Sequence, residues 1–142
     1  SIVTVKKRNS NSPVLYGYPE TFHVFKGNGA LYQVAKYNRD MMLLQYGTKP
    51  LKDEIPYDGQ IMGMPERQVE PAPKENGPNP PYVLSGMVRN EQTIIGHGTI
   101  FNVPQGKGRV VAFTFDPLHR YINHHDAPLL WNVLINWNHL GN

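Results

Sequence analysis

Short apolar runs separated by glycine, proline and polar residues recur along the chain, and this pattern predicts β-strands joined by turns. The most apolar run covers residues 109–115 and is rich in valine and phenylalanine. Because such a run is typical of a strand buried on both faces, we expect 109–115 to be the central strand of the sheet. The turn-forming residues 104–108 should join it to 93–103 as an antiparallel hairpin. Further strands are predicted over residues 22–25, 31–37, 41–46 and 82–88.

The C-terminal part of the chain has the pattern of an amphipathic helix. Asp126 is a good N-cap and Pro128 suits the first helical turn. Five apolar residues fall on one arc at helical spacing, and we expect the helix to bury Leu130, Leu134 and Trp137 against the 109–115 strand. The five residues are Leu129, Leu130, Val133, Leu134 and Trp137.

Two segments are expected to lie outside this regular core. Residues 1–12 are polar and basic, and we expect a flexible basic segment that precedes a single globular domain over 13–142. Residues 47–81 contain eight of the 13 prolines. Since proline removes the amide donor that a strand or helix needs, this segment is predicted to be a long irregular excursion. It is either a surface insertion or a functional loop.

Length and composition support one folded α+β or α/β domain. The 142 residues are 39% hydrophobic and 18% charged, which excludes a disordered chain and fits a single domain. The predicted fold is a mixed sheet with a central buried strand, a C-terminal helix on one face and a long proline-rich loop. No apolar run approaches the roughly 18 residues of a membrane-spanning helix, so no membrane span is expected.

Charge and cysteine content narrow the classes of function. The net charge is +3, but apart from the cluster at 6–8 the basic residues are scattered, which argues against nucleic-acid binding. The chain has no cysteine, and this excludes disulfides, thiolate zinc sites and a cysteine nucleophile. The usual serine-hydrolase and metalloprotease motifs are also absent, so we assign no catalytic residue.

The residues that follow the predicted central strand contain the densest group of titratable side chains. Imidazoles close to Asp126 could bind a transition metal, although their spacing matches no structural zinc signature, and loop histidines beside an N-cap are the alternative interpretation. Asp116 and Arg120 could pair across the turn, either as a structural salt bridge or as a ligand contact. The candidate ligand loop therefore comprises Asp116, His119, Arg120, His124 and His125, and no metal site is assigned.

A second candidate site lies nearer the N-terminus. Four aromatic residues occur close together there, and they could form a platform for a carbohydrate or a peptide. Packing in the core is the alternative interpretation. The four residues are Tyr16, Tyr18, Phe22 and Phe25.

Two stretches of the chain resemble the C-terminal region of large bacterial zinc carboxypeptidases. The first reads Ser-Pro-Val-Leu-Tyr-Gly-Tyr-Pro over 12–19, followed by Phe-His-Val-Phe over 22–25. The second reads Gly-Lys-Gly-Arg-Val-Val-Ala-Phe-Thr-Phe-Asp-Pro-Leu-His-Arg over 106–120 and leads to Leu-Leu-Trp-Asn over 129–132. The resemblance extends over residues 12–138, and in that family a class I glutamine amidotransferase-like domain follows the peptidase domain.

The resemblance implies that this chain is part of a flavodoxin-like, amidotransferase-type domain of a secreted or periplasmic protein. Its partner would be a peptidase domain in the same polypeptide, which would hold the zinc and carry out the proteolysis as a hydrolase. Neither zinc nor another cofactor is expected in this chain, and no catalytic or metal residue can be transferred to it. The expected function is a non-catalytic accessory domain of a metallocarboxypeptidase. A free-standing carbohydrate- or peptide-binding module and a small hydrolase with an unrecognised site are the alternatives, and the oligomeric state is not predicted.

Overall fold

The described strands form one antiparallel sheet, with an α-helix at the C-terminal end of the chain. A computed structural model describes residues 1–8, 11–51, 80–121 and 123–141. Its helix α1 covers Ala127–Ile135. The strands are β1 (Ile2–Lys7), β2 (Thr21–Phe25), β3 (Met42–Tyr46), β4 (Val83–Ser85), β5 (Gly98–Gln105) and β6 (Gly108–Phe113). Short 3-10 helices cover Pro13–Leu15, Lys36–Met41, Glu91–Thr93, His119–Tyr121 and Trp137–His139.

Strand β1 organises the sheet, whose order is β2-β1-β3-β5-β6 with β4 also beside β1. Strand β2 pairs along one side of β1, while β4 and β3 share the other side. The change of partner occurs at Thr4, whose N–H donates to the Tyr82 carbonyl at 2.7 Å and whose carbonyl accepts the Gly47 N–H at 2.8 Å. One strand therefore carries hydrogen bonds to three others.

The prediction of a flexible basic segment over 1–12 is wrong for Ile2–Lys7. These residues form β1, and the side chains of Val3 and Val5 are completely buried. The β-branched run at positions 2–5 favours a strand, but the three basic residues at 6–8 dominate the local composition. The remainder of this segment is also ordered in part, because Ser12 is buried next to the Pro13–Leu15 helix.

The run 109–115 is not the central strand. It contributes β6, which lies at the end of the strand order and has Val110 51% exposed. The antiparallel hairpin is confirmed, because β5 and β6 pair from Ile100–Phe113 to Gln105–Gly108 around a two-residue turn. Gly106 occupies the left-handed region in this turn (φ +58°), a conformation that suits glycine. Apolar composition predicted a strand, but it did not indicate how many neighbours the strand has.

The other strand predictions are confirmed in part. Strands β2 and β3 lie within or around the predicted 22–25 and 41–46, and β4 occupies the middle of 82–88. The strand predicted over 93–103 begins only at Gly98. The prediction for 31–37 is wrong, because these residues are mostly exposed and lead into the Lys36–Met41 helix.

The C-terminal helix is confirmed, but the side that it buries differs from the predicted one. Leu129 is completely buried, whereas Leu134 is 53% exposed and Trp137 lies beyond the end of α1. The helix packs against the Pro13–Leu15 helix rather than against the 109–115 strand. Asn132 secures this contact, because its side-chain amide donates to the carbonyls of Val14 and Tyr16 at 3.0 and 2.9 Å.

The architecture is an α+β fold, one of the two predicted classes. All pairs between the described strands are antiparallel, whereas a flavodoxin-like domain is built on a parallel sheet. Of the proline-rich excursion predicted over 47–81, residues 52–79 lie outside the described residues. Within the described part of the chain, no helix is long and apolar enough to cross a membrane. The largest fully buried side chains include Tyr46, Leu15, Met42, Leu43, Leu44, Ile100 and Leu129.

The position of β1 predicts that stability depends on its valines. We expect Val5→Ala to lower the free energy of unfolding by about 2–3 kcal/mol, because two methyl groups are lost from a fully buried site. The matched change Val110→Ala on the exposed side of β6 should cost less than about 1 kcal/mol. Urea denaturation at low protein concentration measures both values. Equal losses in the two variants would contradict the central position of β1.

Candidate functional site

The two groups of candidate residues lie side by side in the structure. The Tyr18 and Phe22 rings pack with their centroids 4.5 Å apart. The His125 ring contacts both of them, at centroid distances of 5.3 and 5.9 Å. Residues from the N-terminal aromatic group and from the loop before α1 therefore form a single cluster.

A carboxylate connects the edge of the sheet to the start of the helix in this cluster. The backbone N–H of Phe25 on β2 donates to Asp126 Oδ2 at 2.9 Å. The Tyr18 hydroxyl donates to the backbone carbonyl of His125. Beside them, the rings of Phe25 and His119 stack at 4.1 Å with an interplanar angle of 15°. We call this arrangement the Asp126 joint, and it comprises Tyr18, Phe22, Phe25, His119, His125 and Asp126.

The Asp126 carboxylate does not cap the helix, as the sequence predicted, but binds the edge of the sheet. The residue occupies the N-cap position of α1, but among the described residues its carboxylate makes no bond to the first helical turn. It is only 2% exposed and satisfies the edge of β2 instead, while its Oδ1 lies 3.6 Å from His125 Nδ1. Burial raises the pKa of Asp126, and the Phe25 N–H and the nearby His125 oppose this effect.

Burial shifts the pKa values of the phenol in the joint and of one neighbouring imidazole. Burial, assisted by the charge of Asp126, raises the pKa of Tyr18 to about 12, so its hydroxyl remains a hydrogen-bond donor at neutral pH. On β2, burial lowers the pKa of His23, and the neighbouring His125 acts in the same direction. Both shifts favour the neutral forms of Tyr18 and His23 beside the buried carboxyl.

Other predicted site residues do not enter the joint. Tyr16 is 58% exposed, and its backbone is held by Asn132 and by the Pro13 carbonyl. Asp116 Oδ1 accepts the Leu118 N–H at 2.9 Å and, in the described part of the chain, forms no ion pair with Arg120. Arg120 adopts the left-handed backbone region (φ 51°) within a kinked turn. The Asp116–Arg120 pair that the spacing suggested is not formed.

A cavity of about 200 Å³ opens next to the joint, between the loop and α1. The indole of Trp131, which is 56% exposed, forms part of its wall and is a residue that the sequence analysis did not select. Its only signal in the sequence was its position off the predicted apolar arc. The lining residues are Pro117, Leu118, Asn123, His124, Ala127, Pro128 and Trp131.

The cavity combines mostly apolar walls with a few polar groups. Such a surface can accept a small ligand that has an apolar face and polar substituents. A search of the described residues finds no group of three or more histidine, aspartate or glutamate side chains that could hold a metal ion.

Comparisons of the chain with protein-family models, curated proteins and solved structures found no match. The functional interpretation is therefore based on the residues and contacts described above.

The joint predicts a distinct outcome for two substitutions of Asp126. Asp126→Ala should lower the free energy of unfolding by about 1–3 kcal/mol, because the partly buried Phe25 N–H loses its acceptor. Asp126→Asn should retain most of the stability, since an amide oxygen can accept the same hydrogen bond. Urea denaturation compares the two variants, and equal losses would show that the hydrogen bond to Phe25 has no special importance.

The raised pKa of Asp126 predicts the sign of a pH dependence. The folded chain holds this proton more tightly than the unfolded chain, whose carboxyl has the ordinary value of 3.8. The contribution of Asp126 to the free energy of unfolding should therefore decrease as the pH rises from 3.8 through the raised value. Asp126→Asn should lack this decrease. The measurement is the difference in unfolding free energy between the natural chain and the variant, and a difference that increases with pH would contradict the prediction.

Proposed function

We propose that this chain is a non-catalytic accessory domain of a secreted zinc carboxypeptidase. The observation that carries the proposal is that the two stretches resembling this family meet in the folded chain. Asn132, in the second stretch, holds the carbonyls of Val14 and Tyr16 in the first. Phe25, in the first, donates to Asp126 and stacks on His119.

These contacts use the shared residues to build the fold. The Asn132 amide and the Asp126 carboxylate are bonded to backbone groups far away in the sequence, and the hairpin glycine Gly106 shapes a turn. Residues of this kind specify how a domain folds, whereas residues for a reaction converge on a substrate. These structural roles of Asn132, Asp126 and Gly106 favour a non-catalytic accessory domain. In the proposal, the zinc and the proteolysis belong to the peptidase domain.

A surface for that peptidase domain is available on the outer side of the helix. Leu134, Ile135 and Trp137 are 53%, 75% and 73% exposed. Adjacent large apolar side chains in water are typical of surfaces that contact another protein or domain. In the proposal, the peptidase domain covers these side chains, and the contact orients or stabilises it.

The amidotransferase-type, flavodoxin-like assignment is also part of this proposal. Because the pairs between described strands are antiparallel, the assignment requires parallel strands from polypeptide outside the described residues. The coding sequence next to residue 1 tests this requirement together with the accessory role. It should encode a peptidase domain with a His-x-x-Glu motif and a later histidine, followed by strand–helix units. A coding sequence without them would rule out the proposal.

The helix surface gives the accessory role a direct test. The double variant Ile135→Ser/Trp137→Ser should weaken the binding of this chain to the separately produced peptidase domain at least tenfold, because it removes exposed apolar contact area. Leu84→Ser is the control, since Leu84 is 56% exposed but lies on β4. Isothermal titration calorimetry measures the affinities, and thermal unfolding checks that both variants fold. Equal affinities for the natural chain and the double variant would contradict the proposed surface.

A carbohydrate- or peptide-binding module is the second candidate, and the cavity next to Trp131 favours it. An exposed indole can stack on the apolar face of a sugar ring or on a proline ring. The polar groups of Asn123 and His124 at the same cavity could then select ligands by hydrogen bonding. In this candidate, the binding surface is the loop before α1 rather than the N-terminal aromatic group.

The two tryptophans of the chain provide a matched test of this second candidate. Trp131→Ala should weaken the binding of a soluble oligosaccharide or proline-containing peptide at least tenfold, because the ring forms part of the cavity wall. Trp137→Ala should leave the affinity unchanged, since this exposed ring is not part of the lining. Ligand-observed NMR with a panel of both ligand types measures the effect. Binding that survives Trp131→Ala would contradict this role for the cavity.

A further inference from the structure

The β2 and β6 edges of the sheet are treated differently by the rest of the chain. At the β2 edge, the outward N–H of Phe25 is satisfied by Asp126, and the His119 ring covers the Phe25 ring. At the other edge, no described strand pairs with the outer side of β6. An exposed strand edge presents unpaired N–H and C=O groups that can pair with another strand.

The hydrogen bonds of the hairpin show which backbone groups face this free edge. Thr114 N–H donates to the Thr99 carbonyl at 2.9 Å, and the register continues without a shift to the turn. Because hydrogen-bonded pairs alternate along an antiparallel ladder, the backbone groups of 108, 110 and 112 point toward β5. The N–H and C=O groups of Arg109, Val111 and Phe113 therefore point outward.

Strand β6 lacks the features that usually protect an edge. Edge strands often carry charges, proline or a bulge, which prevent pairing with other chains. In β6 the pairing is regular and the charged residue is Arg109. Its Nε donates to Asn102 Oδ1 at 2.7 Å, which draws the guanidinium back over the sheet. Val110 is 51% exposed, and the side chain of Ala112 is also exposed.

We propose that β6 is a self-association surface on which a second copy of this chain binds through its own β6. The two strands run antiparallel, with Val111 of each copy facing Val111 of the other on the two-fold axis. In this register every outward-facing residue meets an outward-facing residue, since Arg109 lies opposite Phe113 of the second copy. A two-fold pairing of identical strands makes the interface complementary to itself.

Charge placement favours a second copy in this register. The two Arg109 residues are offset by four positions along the paired strands, which corresponds to about 13 Å. This separation exceeds the Debye length of about 8 Å at physiological ionic strength, so their repulsion is screened. Each Arg109 also stays bonded to Asn102 on β5 of its own copy, away from the paired edge, so its charge does not approach the axis. The pairing continues the sheet across the axis and gives β6 a neighbour on both sides.

Two double variants test the register, because residue 110 of one copy lies opposite residue 112 of the other. Val110→Lys/Ala112→Lys places like charges opposite each other and should abolish the dimer. Val110→Glu/Ala112→Lys places opposite charges at the same positions and should preserve it. Sedimentation equilibrium over a hundredfold range of protein concentration measures association, and circular dichroism checks that each variant folds. Both side chains are exposed, so the fold should tolerate these changes.

A cross-linking experiment locates the contact independently, since the natural chain contains no cysteine. Positions 110 and 112 of opposite copies would form a non-hydrogen-bonded pair with Cα atoms about 4.5 Å apart, a spacing that a disulfide can bridge. A mixture of Val110→Cys and Ala112→Cys chains should form the mixed dimer on oxidation, and neither chain alone should cross-link as efficiently. A natural chain that remains monomeric at every concentration would overturn the proposal. So would equal association of the two double variants, or cross-linking that does not depend on mixing.

Discussion

The hydrogen bond from the Phe25 N–H to the Asp126 carboxylate is the contact on which the remainder of the architecture depends. It joins residues 101 positions apart, and it ties the outer edge of β2 to the start of α1. A buried backbone N–H needs an acceptor, and here a side chain provides it in place of another strand. The cost is a desolvated carboxylate, which is why the pKa of Asp126 is raised. The ring contacts of Tyr18, Phe22 and His125 then fill the space around it.

This contact also explains why a histidine-rich loop can serve the fold. His119 packs flat on Phe25, and the backbone of His125 accepts the Tyr18 hydroxyl, so both residues contribute to holding the helix on the sheet. The cavity adjoins the same loop, where His124 and Trp131 form part of its wall. The loop therefore contributes both to the joint and to the cavity.

Local patterns in the sequence were sufficient to predict most of the elements but not their arrangement. The β5–β6 hairpin and α1 follow from turn residues, a proline in the first helical turn and periodic apolar positions, all of which act over a few residues. Strand β1 was missed because its four apolar and β-branched residues precede three basic ones. The buried side of α1 was misjudged because the helix packs on the Pro13–Leu15 helix, which leaves Leu134 exposed, and because it ends before Trp137.

The candidate site also shows that local patterns do not predict how distant segments are arranged. In the sequence, the aromatic residues and the histidine loop form two separate groups of candidate residues. The contact between Phe25 and Asp126 brings these two groups together. No local sequence pattern could predict this contact, because the two residues are 101 positions apart. The cavity could not be predicted either, since its walls come from a loop and a helix whose relative orientation is set by the joint.

The composition of β6 connects these observations to the assembly of the molecule. A run as apolar as 109–115 is typical of an interior strand, yet in the single chain its outer backbone groups face the end of the sheet. The composition of a strand reflects the surroundings that it has in the assembled protein, whereas the strand order describes one copy of the chain. The two are reconciled when the sheet continues through β6 into a second copy, because the strand then has a neighbour on both sides. The apolar composition of β6, set against its place at the end of the strand order, therefore supports the proposed association of two copies through this strand.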